Sequence, residues 1–252
     1  LLAPLSAPSG LDRLGSRVFQ SSAPLLPEAK AVARWSLLQG GFTRLAVLYP
    51  SQTSGQRAME AFRDQVLALG GDIVALEHYV QGRDTDFRNQ VVNLKRAAPQ
   101  AIFVPGESRE LVQIARQIAF YDLQCTLLGT SGWGHPDVIA DAGRLVEGVI
   151  FADRSETEKD ERRAQLFSAQ YYDRYGSDPD QYAQLGFDLA AAVWDAVTTT
   201  ANSREQLCRS LERRGTYQGV SGVLNWQRDD TAEGVRLYTI RDGLIVPLHP
   251  RQ

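Results

Sequence analysis

Short apolar runs alternate with longer amphipathic segments across residues 44–134. Residues 44–49, 72–79, 101–104 and 126–129 are rich in aliphatic and aromatic side chains. Runs of this length, separated by helical patterns, are typical of parallel strands that crossover helices cover on both faces. The alternation therefore predicts an α/β unit built on a parallel sheet.

The segments between these strands have the periodicity of amphipathic helices. Met59 and Phe62 fall on one apolar face of the first of them, and Asp84 or Thr85 is expected to cap the second. These helices are predicted over residues 56–69, 86–97 and 108–121.

Helical and extended patterns continue on both sides of this stretch. Residues 27–39 are amphipathic, with Val32, Trp35 and Leu38 on the predicted core face, whereas residues 181–199 are apolar nearly all round and predict a buried helix. Further helices are predicted over residues 137–142 and 160–175, and a last one runs from its cap at Ser203 to about residue 214. Extended segments are predicted over residues 1–8, 16–20, 147–152, 220–226, 235–240 and 244–248.

The loops after the predicted parallel strands are the expected place for a binding site. Ligands of open parallel sheets bind at the carboxyl ends of the strands. In this chain those ends are followed by residues 50–55, 105–108 and 130–135. Side chains that contact a ligand are therefore expected in these three loops.

The composition narrows the classes of function. Hydrophobic residues make up 43% and charged residues 23% of the 252 residues, as in a soluble globular protein. The formal net charge of −3 gives no electrostatic reason to expect a nucleic-acid partner. The longest apolar stretches have the length of strands, which is too short to span a membrane.

Motifs for catalysis or cofactor binding do not occur in the expected places. No Gly-x-Ser-x-Gly elbow or phosphate-cradling glycine loop follows a predicted strand, and the three histidines are scattered. Cys125 and Cys208 lack partners at metal-ligand spacing. Two buried thiols are the favoured interpretation, with a disulfide as the alternative. The sequence therefore predicts no enzyme activity, no metal site and no cofactor.

The order of the elements and several short sequences resemble a known family. The sequences are LLAPLSAP at the start, RLAVLYPSQTSG from Arg44, LLGTSGWGHPDV from Leu127 and GVSGVLNWQRDD from Gly219. Over residues 1–243 the chain resembles the type I periplasmic solute-binding proteins, specifically the leucine/isoleucine/valine-binding group. The LLGTSGW segment also resembles the penicillin-binding-protein activators, a group of bacterial lipoproteins with this fold.

This resemblance implies a two-lobed α/β fold, with parallel sheets flanked by helices and a ligand enclosed between the lobes. It assigns residues 1–42 and 154–222 to lobe one, and residues 43–153 and 223–252 to lobe two. The match covers only the later part of the family pattern, so lobe one is expected to be incomplete at its N-terminus. Either a preceding segment or an exposed apolar face is then expected at the first predicted helix and at the apolar helix.

Family ligand positions can be carried onto this sequence one by one. The resemblance places Ser6 and Ala7 in the loop that holds a ligand carboxylate through hydroxyl and backbone N–H groups. It matches Tyr182 to a tyrosine of the ligand cleft and Ser54 to an aromatic wall of the site. Simpler roles are also open, since Ser54 suits a turn or helix cap and Tyr182 suits the start of a helix.

Three further residues follow later strands. Glu107 falls at a second aromatic position, and Ser131 falls where the family carries the acid that pairs with a ligand ammonium. Glu107 would supply a negative charge, and Trp133 an aromatic wall, at positions where the family does not carry them. In the alternative interpretations Glu107 is a solvated carboxylate at a helix N-terminus, Ser131 is a turn residue, and Trp133 packs beneath the following loop.

The resemblance implies a periplasmic or extracytoplasmic protein without enzyme activity. Its two lobes would close on a small polar, amino acid-like ligand for ABC-type transport or sensing, with a membrane permease as partner. The missing acid and aromatic walls argue against a standard branched-chain amino acid. The alternative is a lipid-anchored envelope protein that binds and activates a cell-wall synthase.

Overall fold

The computed structural model describes residues 2–3, 19–20, 25–153, 161–199, 203–225 and 235–248. The chain forms two compact units. The first comprises Leu1–Pro24 and Ser155–Asp229, and the second comprises Leu25–Arg154 and Asp230–Gln252.

The secondary structure follows the chain as a succession of short strands and longer helices. The described strands are β1 (Leu2–Ala3), β2 (Phe19–Gln20), β3 (Arg44–Pro50), β4 (Asp72–Tyr79), β5 (Ala101–Val104), β6 (Thr126–Gly129), β7 (Ile150–Asp153), β8 (Thr216–Gln218), β9 (Val223–Asn225), β10 (Arg236–Arg241) and β11 (Leu244–Pro247). The described α-helices are α1 (Leu25–Leu38), α2 (Thr53–Ala68), α3 (Arg88–Ala97), α4 (Ser108–Phe120), α5 (Pro136–Ala142), α6 (Glu161–Tyr175), α7 (Gln181–Thr199) and α8 (Arg204–Arg214). Short 3₁₀ helices lie at Ser131–Gly134 and Gly143–Val146.

The second unit is built on a seven-stranded sheet with the order β11-β10-β7-β6-β5-β3-β4. Strands β3 to β7 are parallel, whereas β10 pairs antiparallel with both β7 and β11. The chain runs from β3 to β4 on one side and then crosses to β5 on the other, so the strand order reverses between β3 and β5. The parallel sheet predicted over residues 44–134 is confirmed.

Apolar clusters cover both faces of this sheet, and successive strand residues alternate between them. In β5, Ile102 and Val104 belong to one cluster, whereas Ala101 and Phe103 belong to the other. Phe103 stacks on Phe62 of α2, with ring centroids 4.2 Å apart. Burial on both faces explains why the strand sequence is continuously apolar.

Helix α1 packs against α2 and β7, within the second unit. The compact units therefore correct the sequence-based assignment of residues 25–42 to lobe one. Ala29, Val32 and Ala33 are buried on its inner face, whereas Leu38 is exposed and lies off the face predicted for it. The small side chains at Ala29 and Ala33 allow close packing of the two helices.

The start of α3 differs from its prediction. Neither Asp84 nor Thr85 caps the helix, whose N-cap residue is Phe87. The Phe87 N–H donates to Gln117 Oε1 at 2.7 Å, and the Asp84 carboxylate accepts from the Val80 N–H at 2.7 Å. The Gln117 side chain of α4 thus accepts a hydrogen bond at the start of α3, where the sequence predicted a cap from Asp84 or Thr85.

The first unit contains the parallel pair β1–β2, the antiparallel pair β8–β9 and helices α6 to α8. Because β9 pairs with β8, residues 223–225 lie with this unit, unlike the sequence-based assignment of residues 223–252 to lobe two. Ser203 caps α8 as predicted, with its Oγ accepting the Gln206 N–H at 3.3 Å. Among the described residues, the buried apolar cluster of this unit contains Phe19, Leu189, Ala192, Ala196, Leu211, Tyr217 and Leu224.

Helix α7 has one buried and one exposed face, so the prediction of a helix buried all round is wrong. Leu189 and Ala192 are buried. Phe187 and Val197 are exposed, and Trp194 retains 69% of its accessible surface. An exposed apolar face, one of the two expectations for this helix, is therefore present.

Candidate functional site

The carboxyl edge of the parallel sheet carries the polar loops that the sequence singled out. We call the residues that follow β3, β4, β5 and β6 the carboxyl edge. The order of the strands reverses at this edge between β3 and β5, and such reversals are where open α/β sheets bind ligands.

Ser54 lies in the first turn of α2, directly after β3, and is half-buried. The next residue, Gly55, is buried against Pro50, and a Cβ at Gly55 would overlap the Pro50 carbonyl oxygen. This contact holds the N-terminus of α2 against the end of β3. The same contact fixes the position of Ser54, next to the point where the strand order reverses between β3 and β5.

Glu107 and Glu110 flank the N-terminus of α4 on the other side of the reversal point. Glu107 is exposed at the N-cap position and makes no side-chain capping hydrogen bond. Glu110 is only 7% exposed, and its Oε1 accepts the Gly82 N–H at 3.0 Å. The α4 N-terminus stabilises both negative charges through its dipole.

Tyr79 connects the two sides of the carboxyl edge. Its carbonyl oxygen accepts the Ser51 N–H at 2.7 Å, and its ring packs edge-on against Phe87. The side chain is 1% exposed, and its hydroxyl has no hydrogen-bond partner among the described residues. Burial, together with the negative charges of Glu110 and Glu107, raises the pKa of Tyr79 above its usual value.

The loop after β6 is tied to helix α1. The Ser131 N–H donates to Glu28 Oε2 at 2.9 Å, and Glu28 is only 1% exposed. The neighbouring Thr130 hydroxyl is buried, and within the part of the chain that the structure describes it has no hydrogen-bond partner. A carboxylate therefore lies beside Ser131, although Ser131 itself carries no charge.

Sequence reasoning missed Glu28, Glu110 and Tyr79. An acidic residue in the first turn of a helix is expected on dipole grounds alone, so Glu28 and Glu110 gave no distinguishing signal. Tyr79 ended an apolar strand and looked like core. Only the tertiary contacts bring these side chains to the carboxyl edge.

Trp133 is fully buried, so it does not form the aromatic wall that the sequence analysis proposed. Its Nε1–H donates to the Val104 carbonyl oxygen at 2.9 Å, and its ring belongs to an apolar core cluster. A Cβ at Gly129 would overlap the ring. The alternative interpretation, packing beneath the loop, describes this geometry.

The remaining expected contacts are Tyr182, Ser6 and Ala7. Tyr182 lies at the start of α7 in the first unit and is 57% exposed. Ser6 and Ala7 lie outside the described residues. The structure therefore brings Ser54, Glu107 and Ser131 to one edge of one sheet.

The described residues hold no group of three or more His, Cys, Asp or Glu side chains that could bind a metal ion. Both cysteines are free and half-buried. Burial raises the pKa of the Cys125 thiol to about 12. Over the same described ranges, each helix is too short or too polar to cross a membrane.

Comparison with known proteins decides the family. Residues 15–241 match the family profile described as "Periplasmic binding protein". The chain belongs to the periplasmic binding protein family. It is of type I, the class that includes the Leu/Ile/Val-binding proteins.

Relatives within the periplasmic binding protein family include amino acid-binding proteins. The leucine-, isoleucine-, valine-, threonine- and alanine-binding protein of Pseudomonas aeruginosa is 26% identical over 183 residues, which are 72% of this chain and 48% of that protein. The chain spans about half the length of the curated relatives it matches.

Solved structures of periplasmic binding proteins share the fold. The branched-chain amino acid transporter substrate-binding protein of Streptococcus pneumoniae, in complex with isoleucine, matches with a TM-score of 0.76 and 20% identity, over 98% of this chain and 72% of that chain. A solute-binding protein of an ABC transporter from Rhodopseudomonas palustris, in complex with benzoate, matches with a TM-score of 0.78 and 17% identity, over 98% and 69%.

Proposed function

We propose that this protein binds a small polar solute at the carboxyl edge of its second unit. It would act outside the cytoplasm, as the non-catalytic binding component of an ABC-type transport or sensing system with a membrane permease as partner. Membership of the periplasmic binding protein family supports this role, as do relatives whose names describe amino acid binding. The role of a cell-wall synthase activator stays a prediction from sequence.

One observation carries the proposal. Ser54, Glu107 and Ser131 follow three neighbouring strands and lie at one edge of the sheet, beside the point where the strand order reverses. Hydroxyl, carboxylate and backbone N–H groups there supply donors and acceptors for a polar ligand. Neighbouring strands are about 4.8 Å apart, so a small molecule can contact more than one of these loops.

The ligand need not be a branched-chain amino acid. Ser54 and Glu107 are polar at positions where the resemblance implies aromatic walls, so the apolar contact area for an aliphatic side chain is smaller. The related fold holds isoleucine in one solved structure and benzoate in another. A test panel should therefore contain both amino acids and small organic anions.

A thermal-shift panel tests the proposal. The full-length protein would be heated with leucine, isoleucine, threonine, alanine, benzoate and 3,4-dihydroxybenzoate, each at millimolar concentration. At 100 times its Kd, a solute that binds only the folded state adds about 2.7 kcal/mol of stability, which raises Tm measurably. Unchanged Tm with every amino acid and every anion would contradict the proposal.

Variants at and away from the carboxyl edge show where a positive solute binds. Glu107→Ala should reduce the Tm shift that a positive solute produces, because it removes a charged group of the carboxyl edge. Glu60→Ala changes an exposed glutamate of α2 away from that edge and should leave the shift unchanged. Equal shifts in both variants would place the binding elsewhere.

A further inference from the structure

Glu28 connects the first helix of the second unit to the loop after β6. It lies in the first turn of α1, and its Oε2 accepts the Ser131 N–H at 2.9 Å. The two residues are 103 positions apart in the chain. The hydrogen bond therefore joins the loop to a helix that does not itself belong to the carboxyl edge.

The loop contains a capping residue of its own, which it does not use. Thr130 is the N-cap residue of the 3₁₀ helix at Ser131–Gly134, and threonine is one of the favoured residues at such a position. Its side chain makes no capping hydrogen bond, and its hydroxyl has no partner among the described residues. The first N–H of this 3₁₀ helix donates instead to a carboxylate from α1.

The burial of Glu28 calls for an explanation beyond folding stability. The residue is 1% exposed, and burying a carboxylate is costly unless it accepts hydrogen bonds. Its place in the first turn of α1 offsets part of that cost through the helix dipole. Because an apolar residue often serves stability as well as a buried charge does, the effect of this carboxylate on the loop is the more specific reason for it.

The loop after β6 is in turn packed on the loop after β5. A Cβ at Gly132 would overlap the Gly106 carbonyl oxygen, so the two backbones are in direct contact. Gly132 follows Ser131, and Gly106 precedes Glu107. A displacement of the loop at Ser131 would therefore also displace the loop that carries Glu107.

We propose that Glu28 is a positioning residue of the solute site, which holds the loops after β6 and β5 in the arrangement that presents Ser131 and Glu107. In this role Glu28 acts through the Ser131 N–H and does not contact the solute. The solute then meets loops that are already ordered, so less free energy is lost on binding. Ser54 is outside this path, because it is supported separately in the first turn of α2. The inference rests on the proposed function and adds a residue outside the carboxyl edge.

Amide spectra of the full-length protein without solute test the path through the loops. Glu28→Ala should shift the Ser131 amide, which loses its acceptor, and the Glu107 amide through the contact between the loops. The Ser54 amide should stay in place. Glu60→Ala, at an exposed position of α2, is the control and should shift none of the three. An unmoved Glu107 amide, or a Ser54 amide that moves as far as it does, would contradict the path.

Isothermal titration calorimetry with leucine and benzoate tests the effect on binding. Glu28→Ala should weaken the probe that binds the wild type by about tenfold, as expected for one hydrogen bond to a charged group. Glu28→Gln keeps a side-chain oxygen for the Ser131 N–H and should limit the loss to about twofold. Unchanged affinity in Glu28→Ala, or equal losses in the two variants, would overturn the inference and leave the proposed function standing. Binding of neither probe by the wild type would overturn both.

A double-mutant cycle separates positioning from a general loss of stability. Ser131→Ala removes the hydroxyl that the solute would contact and keeps the N–H that Glu28 accepts. If Glu28 acts through Ser131, the variant with both alanines should lose less affinity than the product of the two single losses. Losses that multiply would show that Glu28 acts independently of Ser131, which would overturn the inference.

Hydrogen exchange of the wild-type protein keeps the inference testable if Glu28→Ala does not fold. The Ser131 amide should exchange at least about tenfold more slowly than in an unstructured peptide, because it donates to a buried carboxylate. Exchange at the rate of an unstructured peptide would remove the hydrogen bond and overturn the role of Glu28, whichever solute binds.

Discussion

Asp188 fixes a turn of the first unit through one buried carboxylate. Its Oδ1 accepts the Val220 N–H at 2.7 Å, and its Oδ2 accepts the Ser221 N–H at 2.7 Å together with the Ser221 hydroxyl. A Cβ at Gly219 would overlap the carboxylate, so glycine is required beside it. The turn between β8 and β9 therefore depends on a residue that is distant in sequence.

Removing this carboxylate should destabilise the protein. Asp188→Ala leaves three donors without their acceptor, and we expect the free energy of unfolding to fall by about 2–4 kcal/mol. Urea unfolding measures the change, with Asp173→Ala, an exposed position on α6, as the control. A loss no larger than that of the control would contradict the role of Asp188.

The raised pKa of the Cys125 thiol predicts how the free energy of unfolding changes at alkaline pH. Burial raises its pKa from an ordinary 9.0 to about 12. Between these values the unfolded chain loses this proton while the folded protein keeps it, so the free energy of unfolding falls as pH rises from 9 towards 12. In Cys125→Ala the fall should be shallower over that range. Parallel curves for the two proteins would contradict the raised pKa.

At the scale of secondary structure, the sequence predicted the elements better than their contacts. Strands β4, β5 and β6 have the predicted bounds, and β5 and β6 are short apolar runs buried on both faces of the sheet. The Glu28–Ser131 hydrogen bond joins residues 103 positions apart, and the Trp133 side chain bonds to Val104, 29 positions earlier. Periodicity contains no information on such pairs, so the loops were predicted as a site whereas these two hydrogen bonds were not.

Two glycine substitutions should have opposite effects on stability. Gly129→Ala would drive a Cβ into the Trp133 ring, and we expect the free energy of unfolding to fall by about 1–3 kcal/mol. Gly186, within α7, has open space around it, so Gly186→Ala should stabilise the helix by about 0.5–1 kcal/mol. Thermal unfolding of both variants measures the difference. Equal Tm values would contradict the packing described at the end of β6.

At the scale of the whole molecule, the order of the elements was the most informative feature of the sequence. It led to the type I periplasmic binding protein fold, which the family match and the solved structures confirm. The unit boundaries were less predictable. Helix α1 begins at Leu25, where the chain leaves the first unit, and only its packing on α2 shows that it belongs to the second unit. Similarly, the apolar sequence of α7 indicated a helix buried all round, and an exposed face was expected only from the resemblance.

The central claim is that a small polar solute binds at the carboxyl edge of the second unit. Backbone amide spectra of ¹⁵N-labelled full-length protein, recorded during titrations with leucine and with benzoate, test it most directly. The account predicts saturable shifts of the Ser54, Gly82, Glu107 and Ser131 amides with at least one of these two solutes. Saturable shifts confined to other parts of the chain, with these four amides unmoved, would contradict it.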